Sequence, residues 1–297
     1  MSLEDRFPPL LAAAESTSSG GQSTFLRFTL AGLALACLGA IGGAVSVKVT
    51  PGGRTVDLGA LVAALAFAAA IGAATYVLST KPQQRWYEGR AVAESVKTLA
   101  WQYSVAGGPF RRGAEADADD LLASRLVDFV REMRMVTVPA AGFDVVSGDM
   151  RQLRDEPLDE RRRRYLAERV DSQIAWYTGK AAHNETRVRQ WFAVVVIAQS
   201  FGLVAGALKA FAVVDIDLLG ILGAVAASAA AWLQTRDHQN LAQSYAVTAR
   251  ELQIIRSQAE RRLTAEPSED QWADFVEESE RAISREHTLW LARRESV

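Results

Sequence analysis

Four windows of this chain stay apolar for too long to be ordinary core helices: Phe25–Val47, Val56–Ser79, Trp191–Val214 and Ile216–Leu233. The charged residues inside them are Arg27, Asp57, Lys209 and Asp217, each near a window end, and Asp215 lies between the last two windows. A bilayer core takes about 20 apolar residues as helix. A helix that is apolar all round must be wrapped by a large protein or by lipid. A pair of buried hairpins in a large helical domain would need a wrapping that the rest of the chain cannot supply. The fold class this predicts is an all-α membrane protein. Two transmembrane helical hairpins carry long cytoplasmic amphipathic helices that form a bundle.

Composition conceals this. A hydrophobic fraction of 49% and a net charge of −2 suit a soluble protein. The charges, however, are clumped between the windows. Arg27, Lys81, Arg85 and Arg90 flank the open end of the first hairpin, and Arg187, Arg189 and Arg236 that of the second. The first tip carries Lys48 and Arg54, and the second carries Asp215 and Asp217. Lys and Arg beside spans favour the cytoplasmic side, so both termini are expected there. The start of the chain is not a standard signal peptide, because Glu4 and Asp5 precede a late apolar run. A single Cys, Cys37, excludes an intramolecular disulfide and reads as a small packing residue.

Residues 1–24, with "ESTSSGGQS" and two prolines, read as a flexible cytoplasmic lead-in. A first unit covers 25–112: two spans, then a helix over Gln83–Val105 with Trp86, Ala93, Val96, Leu99 and Tyr103 on one face, stopped by "GGPF". A connector, 113–157, holds a short helix over Asp119–Arg134 and an irregular segment without assignment. A second unit covers 158–297: a helix running straight into the third span, the fourth span, a long helix and a C-terminal helix. The fourth span leaves the bilayer near Trp232 and meets no Pro or Gly. An unbroken helix to Arg262 would be about 70 Å long. Beyond the span, Leu241, Tyr245, Thr248, Leu252, Ile255 and Ala259 form a coiled-coil-like seam, a candidate oligomer or cytoplasmic packing face. Ser268 and Gln271 form a capping-box pattern before a helix presenting Trp272, Val276, Ile283 and Trp290. The two units repeat one order of elements, and "RAVAESVKTL" faintly echoes "YAVTARELQI".

The first unit, with its hairpin, "RWYEGRAVAESVKTLAWQY" and "GGPF", resembles one branch of the SLATT family. The second, with "YLAERVDSQIAWYTGKAAHNETRVRQW", "ELQIIRSQAE" and "ISREHTLWLARR", resembles another. These are two-transmembrane effector domains associated with nucleotide second-messenger synthases and SLOG sensors. The resemblance implies a bacterial inner-membrane effector, proposed to form pores or perturb the membrane in conflict or anti-phage defence systems. It also implies a partner, a separate cytoplasmic nucleotide-signal sensor or synthase, since no such domain is attached here.

No phosphate-binding Gly loop, CxxC pair, HExxH or Ser-His-Asp context is present. No catalytic residue, metal or cofactor is expected, and nucleic acid is not expected as a partner. His183, His238 and His287 lack ligand spacing and read as surface or interface residues. Glu286 and His287, adjacent on a helix, point about 100° apart and read as structural. The run "RRRRY" (Arg161–Tyr165) suits anionic lipid or a nucleotide phosphate, but flanking acids make a solvated, self-compensating face the expectation. Gly220, Ala224 and Ser228 recur every four residues in the fourth span, a candidate pore or close-packing face. Gln199 and Ser200 are the mid-membrane polar candidates, and Asp215 and Asp217 would sit at a far mouth where carboxylate rings favour cations. Four such helices enclose no useful pore alone, so a homo-oligomer is expected. The leading function is an oligomeric membrane effector or ion channel gated from its cytoplasmic helices. The alternative is a membrane-anchored scaffold.

Overall fold

A computed structural model describes residues 3–113, 117–132, 144–213, 216–262 and 268–294, with the side chains of 130, 132, 262 and 285–294 outside the description. The chain is almost all helix, as its apolar patterning predicts. It divides into two compact units. Ser23–Pro82 and Ala182–Ala242 make a membrane unit, and Met1–Gln22, Gln83–Ala181 and Gln243–Val297 make a helical unit. Each unit therefore draws on both halves of the sequence.

In the membrane unit, helix α1 (Pro9–Ala44) and helix α2 (Leu58–Thr80) carry the first two spans. A short antiparallel strand pair at the tip joins them, with Lys48 opposite Asp57 and Val49 opposite Val56. Asp57 caps α2 by accepting from the amides of Gly59 (2.9 Å) and Ala60 (3.3 Å). This satisfies two of the donors that a helix start leaves open. A Cβ at Gly59 would lie 1.8 Å from the Val45 carbonyl oxygen, so only glycine lets α2 come this close to the end of α1. Lys81, in the left-handed region at φ 47°, ends α2.

Five further helices follow: α3 (Pro82–Ser104), α4 (Ala118–Glu132), α5 (Gly148–Asp155), α6 (Leu158–Arg164) and α7 (Ser172–Ala210). A π-helical segment, Tyr165–Asp171, joins α6 to α7. The chain is thus helical without interruption from Leu158 into the third span, as the sequence suggests. The segment expected to be irregular contains α5, with Ser147 accepting from the Met150 amide at its start. Met150 and Leu153 of α5 are fully buried. Residues 137–143 of that segment, and Met133 and Arg134 at the end of the expected short helix, lie outside the described residues.

Two expectations are corrected. The lead-in is ordered: α1 begins at Pro9, and Leu3, Phe7, Leu10, Leu11 and Ala14 are buried in the core of the helical unit. Their spacing of four and three residues is a helical stripe. Tertiary burial of that stripe outweighs the poor helix propensity of the Ser- and Gly-rich residues beside it. The fourth span also does not run unbroken to Arg262. Helix α8 (Leu218–Arg236) ends at Asp237, and α9 (His238–Arg262) begins after it. Asp237 is left-handed at φ 49°, and its amide donates to the carbonyls of Leu233 and Gln234, both at 3.1 Å. Asp is among the few non-glycine residues that tolerate this conformation. Helix α10 (Glu269–Arg294) closes the chain. The capping box forms as expected: Ser268 Oγ accepts from the Gln271 amide and Gln271 Oε1 from the Ser268 amide, both at 3.2 Å.

The core of the helical unit is built on aromatic rings in edge-to-face contact. Trp101 meets Phe7 (5.7 Å between centroids) and Tyr165 (5.9 Å), and Tyr165 meets Trp272 (5.7 Å). Each such pair adds about 0.5–1.5 kcal/mol beyond the area it buries.

Candidate functional site

The spans are the part of the chain that can act on a bilayer. Within the spans of the membrane unit the buried positions are alanines (Ala66 of α2, Ala198 and Ala205 of α7, Ala226 and Ala229 of α8) and glycines (Gly39, Gly42, Gly59 and Gly202). Lipid drives no hydrophobic collapse between helices, so close approach of small residues has to supply the packing. Large side chains point outward. Ile71, Phe201 and Leu203 are 67%, 64% and 76% exposed, as a lipid-facing surface requires.

The small-residue row of α8 meets α1. Ser228 Oγ donates to the Leu33 carbonyl at 3.4 Å, and Cys37 Sγ lies 3.4 Å from Ser228 Oγ and 3.8 Å from the Ala224 carbonyl. In a single chain Ala224 and Ser228 therefore lie against another span. Gly220 is exposed and does different work. A Cβ there would lie 2.5 Å from Asp217 Oδ2, so its absence makes room for that carboxylate. Asp217 accepts from Lys209 Nζ at 2.7 Å, so at the tip of the second hairpin this carboxylate is held in an ion pair. Asp215 lies outside the described residues. Gln199 and Ser200 are exposed on the outer surface of α7. The Ser200 hydroxyl is satisfied within its own helix by the Val196 carbonyl at 2.8 Å.

In the helical unit, Tyr245, Leu252 and Ile255 of the α9 seam are buried within the single chain, while Leu241, in the membrane unit, is half-buried. Tyr245 packs on the rings of Trp176 (5.4 Å) and Tyr177 (5.7 Å). Trp272 and Ile283 of α10 are buried, and the side chain of Trp290 lies outside the described residues, as do those of Glu286 and His287.

A buried charge network occupies the centre of this unit. Arg169, in the π-helical segment, donates to both oxygens of Glu280 at 3.0 and 2.9 Å, and both side chains are fully buried. Tyr165 Oη donates to the same carboxylate at 3.0 Å and Thr98 Oγ1 at 2.8 Å. Burial alone would lower the Arg169 pKa, but Glu280 more than reverses this and holds it above the usual arginine range. Burial and the Glu280 charge together push the Tyr165 phenol well above its usual value. Four donor contacts and a matched charge are what make such a pair tolerable away from water.

The arginine run departs from its expected solvated face. Arg161 is fully buried, and it donates to the carbonyls of Val105 (2.8 Å) and Glu156 (3.0 Å) and pairs with Glu269. Trp272 Nε1 donates to the same Val105 carbonyl at 2.8 Å, and Arg154 donates to those of Tyr103 (3.0 Å) and Phe110 (2.8 Å). These side chains satisfy the open carbonyls at the end of α3, a position that also favours positive charge. Arg163 remains exposed and pairs with Glu160. A run of four like residues gives no signal of which one is buried. The signal was the spacing of Arg161, Tyr165 and Arg169, four residues apart on the face that carries Leu158 and Leu166.

Residues 8–162 match the family described as SMODS and SLOG-associating 2TM effector domain 3, and residues 165–290 match its domain 1. The chain belongs to the SLATT family. It carries two SLATT units in tandem, with the junction where α6 passes into the π-helical segment. No curated protein and no solved structure matches it. The two SLATT units do not coincide with the two compact units: each contributes a hairpin to the membrane unit and helices to the helical unit. The Arg169–Glu280 network crosses between them, since Thr98 belongs to the first and its partners to the second. As SLATT domains are two-transmembrane effector domains, the chain is a multi-pass membrane protein of effector type.

Proposed function

We propose that this tandem SLATT protein is a bacterial inner-membrane effector that permeabilises the bilayer as a homo-oligomer, with both termini cytoplasmic and the helical unit receiving the signal. One observation carries the oligomeric part of this reading. At most 11% of the residues in any apolar window are buried within the chain, and those buried are alanine and glycine. Among the described residues no polar side chain is buried between the spans of a single chain, while Gln199 stands on its outer surface. Polar groups at membrane depth face protein or water and rarely lipid, so a second copy is the natural neighbour for that face. Helix α7 is unbroken from Ser172 to Ala210, which supports transmission of a movement into the third span without a loop to absorb it. The break at Asp237 removes the same argument for the fourth.

The test is dye or ion flux from liposomes reconstituted at rising protein-to-lipid ratio, with and without candidate nucleotides. Flux should rise more steeply than linearly, and a Ser200→Cys cross-link in a Cys37→Ser background should give dimers and larger species. Monomeric protein without flux under every condition would favour the second reading, a membrane-anchored scaffold. The aromatic core of the helical unit, with its buried Arg169–Glu280 pair, supports that alternative.

A further inference from the structure

A pocket in the membrane unit has no part in the function above. It has a volume of about 380 Å³ and lies where α1, α7, α8 and the first residue of α9 converge. Arg27, Arg187 and Arg236 line it from three different helices, together with His183 and His238. No carboxylate lines it among the described residues. Trp191 and Trp232 form its wall, with ring centroids 6.4 Å apart, and the Arg236 guanidinium lies 5.9 Å from the Trp232 centroid. Leu26 and Leu30 add an apolar side.

Its depth can be read from the spans. Trp191 opens the third apolar window, Trp232 lies one residue before the end of the fourth, and Arg27 sits three residues into the first. Tryptophans at span ends belong at the headgroup level. The pocket therefore lies at the membrane surface, on the side opposite the two hairpin tips. Its positive field already acts within the protein. His238 is buried with Asn184 Oδ1 2.7 Å from Nδ1, and burial, with repulsion from Arg236, His183 and Arg187, holds its pKa down to about 4. The imidazole is neutral at pH 7, and the guanidinium groups supply the charge.

We propose that this pocket binds the phosphodiester headgroup of an anionic phospholipid, held by Arg27, Arg187 and Arg236. Guanidinium groups suit phosphate because their donors match its oxygens in pairs. The site's volume falls within the range of small-molecule pockets. A free phosphate would use the same donors, but the two indoles and two leucines beside them fit the glycerol and upper acyl chains of a lipid. Basic pockets between transmembrane helices on the cytoplasmic side are where such headgroups settle. A lipid held here would touch helices of both hairpins, whether or not the assembly conducts.

The experiment uses the full chain purified in non-ionic detergent, incubated with equal amounts of phosphatidylglycerol and phosphatidylcholine and analysed by native mass spectrometry. Phosphatidylglycerol should be retained over phosphatidylcholine by about tenfold or more. Inorganic phosphate should not displace it. Arg27→Gln with Arg187→Gln should lower its retention to the level of phosphatidylcholine. Arg189→Gln, at an exposed residue that pairs with Glu185 and does not line the pocket, should change nothing. Both altered residues are exposed, and size-exclusion profiles report whether the variants fold. Equal retention of the two lipids by the unaltered protein would overturn the proposal, as would a double variant that holds phosphatidylglycerol as well as the original. Displacement by inorganic phosphate would identify a soluble anion as the ligand and overturn the lipid assignment. None of these readouts depends on flux, so the site and the effector reading can fail separately.

Discussion

In the membrane unit the residues buried within the spans are alanine and glycine. In the helical unit they include tryptophan, tyrosine and a fully buried arginine–glutamate pair. The solvent explains the difference. In water, burial of large apolar surface drives association, and the rings that supply it need specific partners for their polar edges. In lipid there is no such drive, so spans associate through close contact of small side chains and a few hydrogen bonds. The helical unit is thereby committed to one packing. The membrane unit is held by contacts such as Ser228 to Leu33, individually weak, and its large aliphatic residues face outward. A weakly specified membrane unit joined to a strongly specified helical one is what the proposed gating would require.

The largest expected effect breaks the specified side of this comparison. Glu280→Ala leaves Arg169 charged and fully buried, with its bidentate partner gone and only the longer contact to Glu4 at 3.5 Å. It should cost about 3–5 kcal/mol. Thermal melting of the purified protein should fall accordingly. Pairing it with Arg169→Met removes the stranded charge and should recover part of the loss. A double variant no more stable than Glu280→Ala would show that the pair matters for its hydrogen bonds to Tyr165 and Thr98 more than for charge balance.

The next effect lies in the membrane unit. Ser228→Leu places a large side chain where Oγ now lies 3.4 Å from both the Leu33 carbonyl and Cys37 Sγ. Overpacking of this kind costs about 1–3 kcal/mol. Ser228→Ala should cost about 0.6 kcal/mol, the size of a typical hydrogen bond between spans. Stability measured by denaturation in mixed micelles separates the two. An unchanged Ser228→Leu would mean that α1 and α8 part readily, which sharpens the contrast with the helical unit.

The contrast also sets what the sequence could reveal. The four spans were legible because a long apolar run has few alternatives. The α9 seam and the Ser268–Gln271 cap were legible because their periodicity and spacing are local. The stripe Leu3, Phe7, Leu10 and Ala14 was present but masked by the serines and glycines that follow it. Glu280 carried no signal, because its burial is decided by residues 111 and 182 positions away. Asp237 gave none either, since a left-handed Asp replaced the Gly or Pro that usually marks a break. The pocket arginines were legible as flanking charges that set orientation, but their convergence depends on packing between hairpins.

A smaller effect tests the surface of the helical unit through pH. Asp119 accepts from Tyr103 Oη and from Arg151 (3.0 Å). Partial burial works to raise its pKa, but these two partners outweigh burial and hold it below the usual carboxylate value. A carboxylate depressed in the folded state stabilises the protein above its unfolded pKa of about 3.9, and loses that contribution as pH falls through the folded value. Asp119→Asn should therefore cost about 0.5 kcal/mol near pH 7, allowing for solvent screening of a side chain 41% exposed. The difference between variant and original should shrink as pH falls below about 3.9 and vanish at the acid end, where Asp119 is protonated in the folded state as well. A difference that persists there would assign the effect to shape.

The smallest effect on stability belongs to Asp217→Asn, at the tip of the second hairpin, and it is also the sharpest test of the pore. Asp217 and Lys209 lie 2.7 Å apart with both side chains nearly half exposed, so their charges cancel at the tip. An exposed pair of this kind contributes little to folding, and melting should not change. Removing the carboxylate takes one negative charge per chain from the tip and leaves Lys209 without this partner. If the tips ring a conducting mouth, that change repeats with every copy and should lower the preference for cations in a reconstituted bilayer. Lys209→Gln should shift selectivity the opposite way, because it leaves the carboxylates alone. Opposite shifts from the two variants would place the pair at the mouth. Flux with unchanged selectivity in both would keep the pore and move its mouth away from the second hairpin, toward the first tip with Lys48 and Arg54.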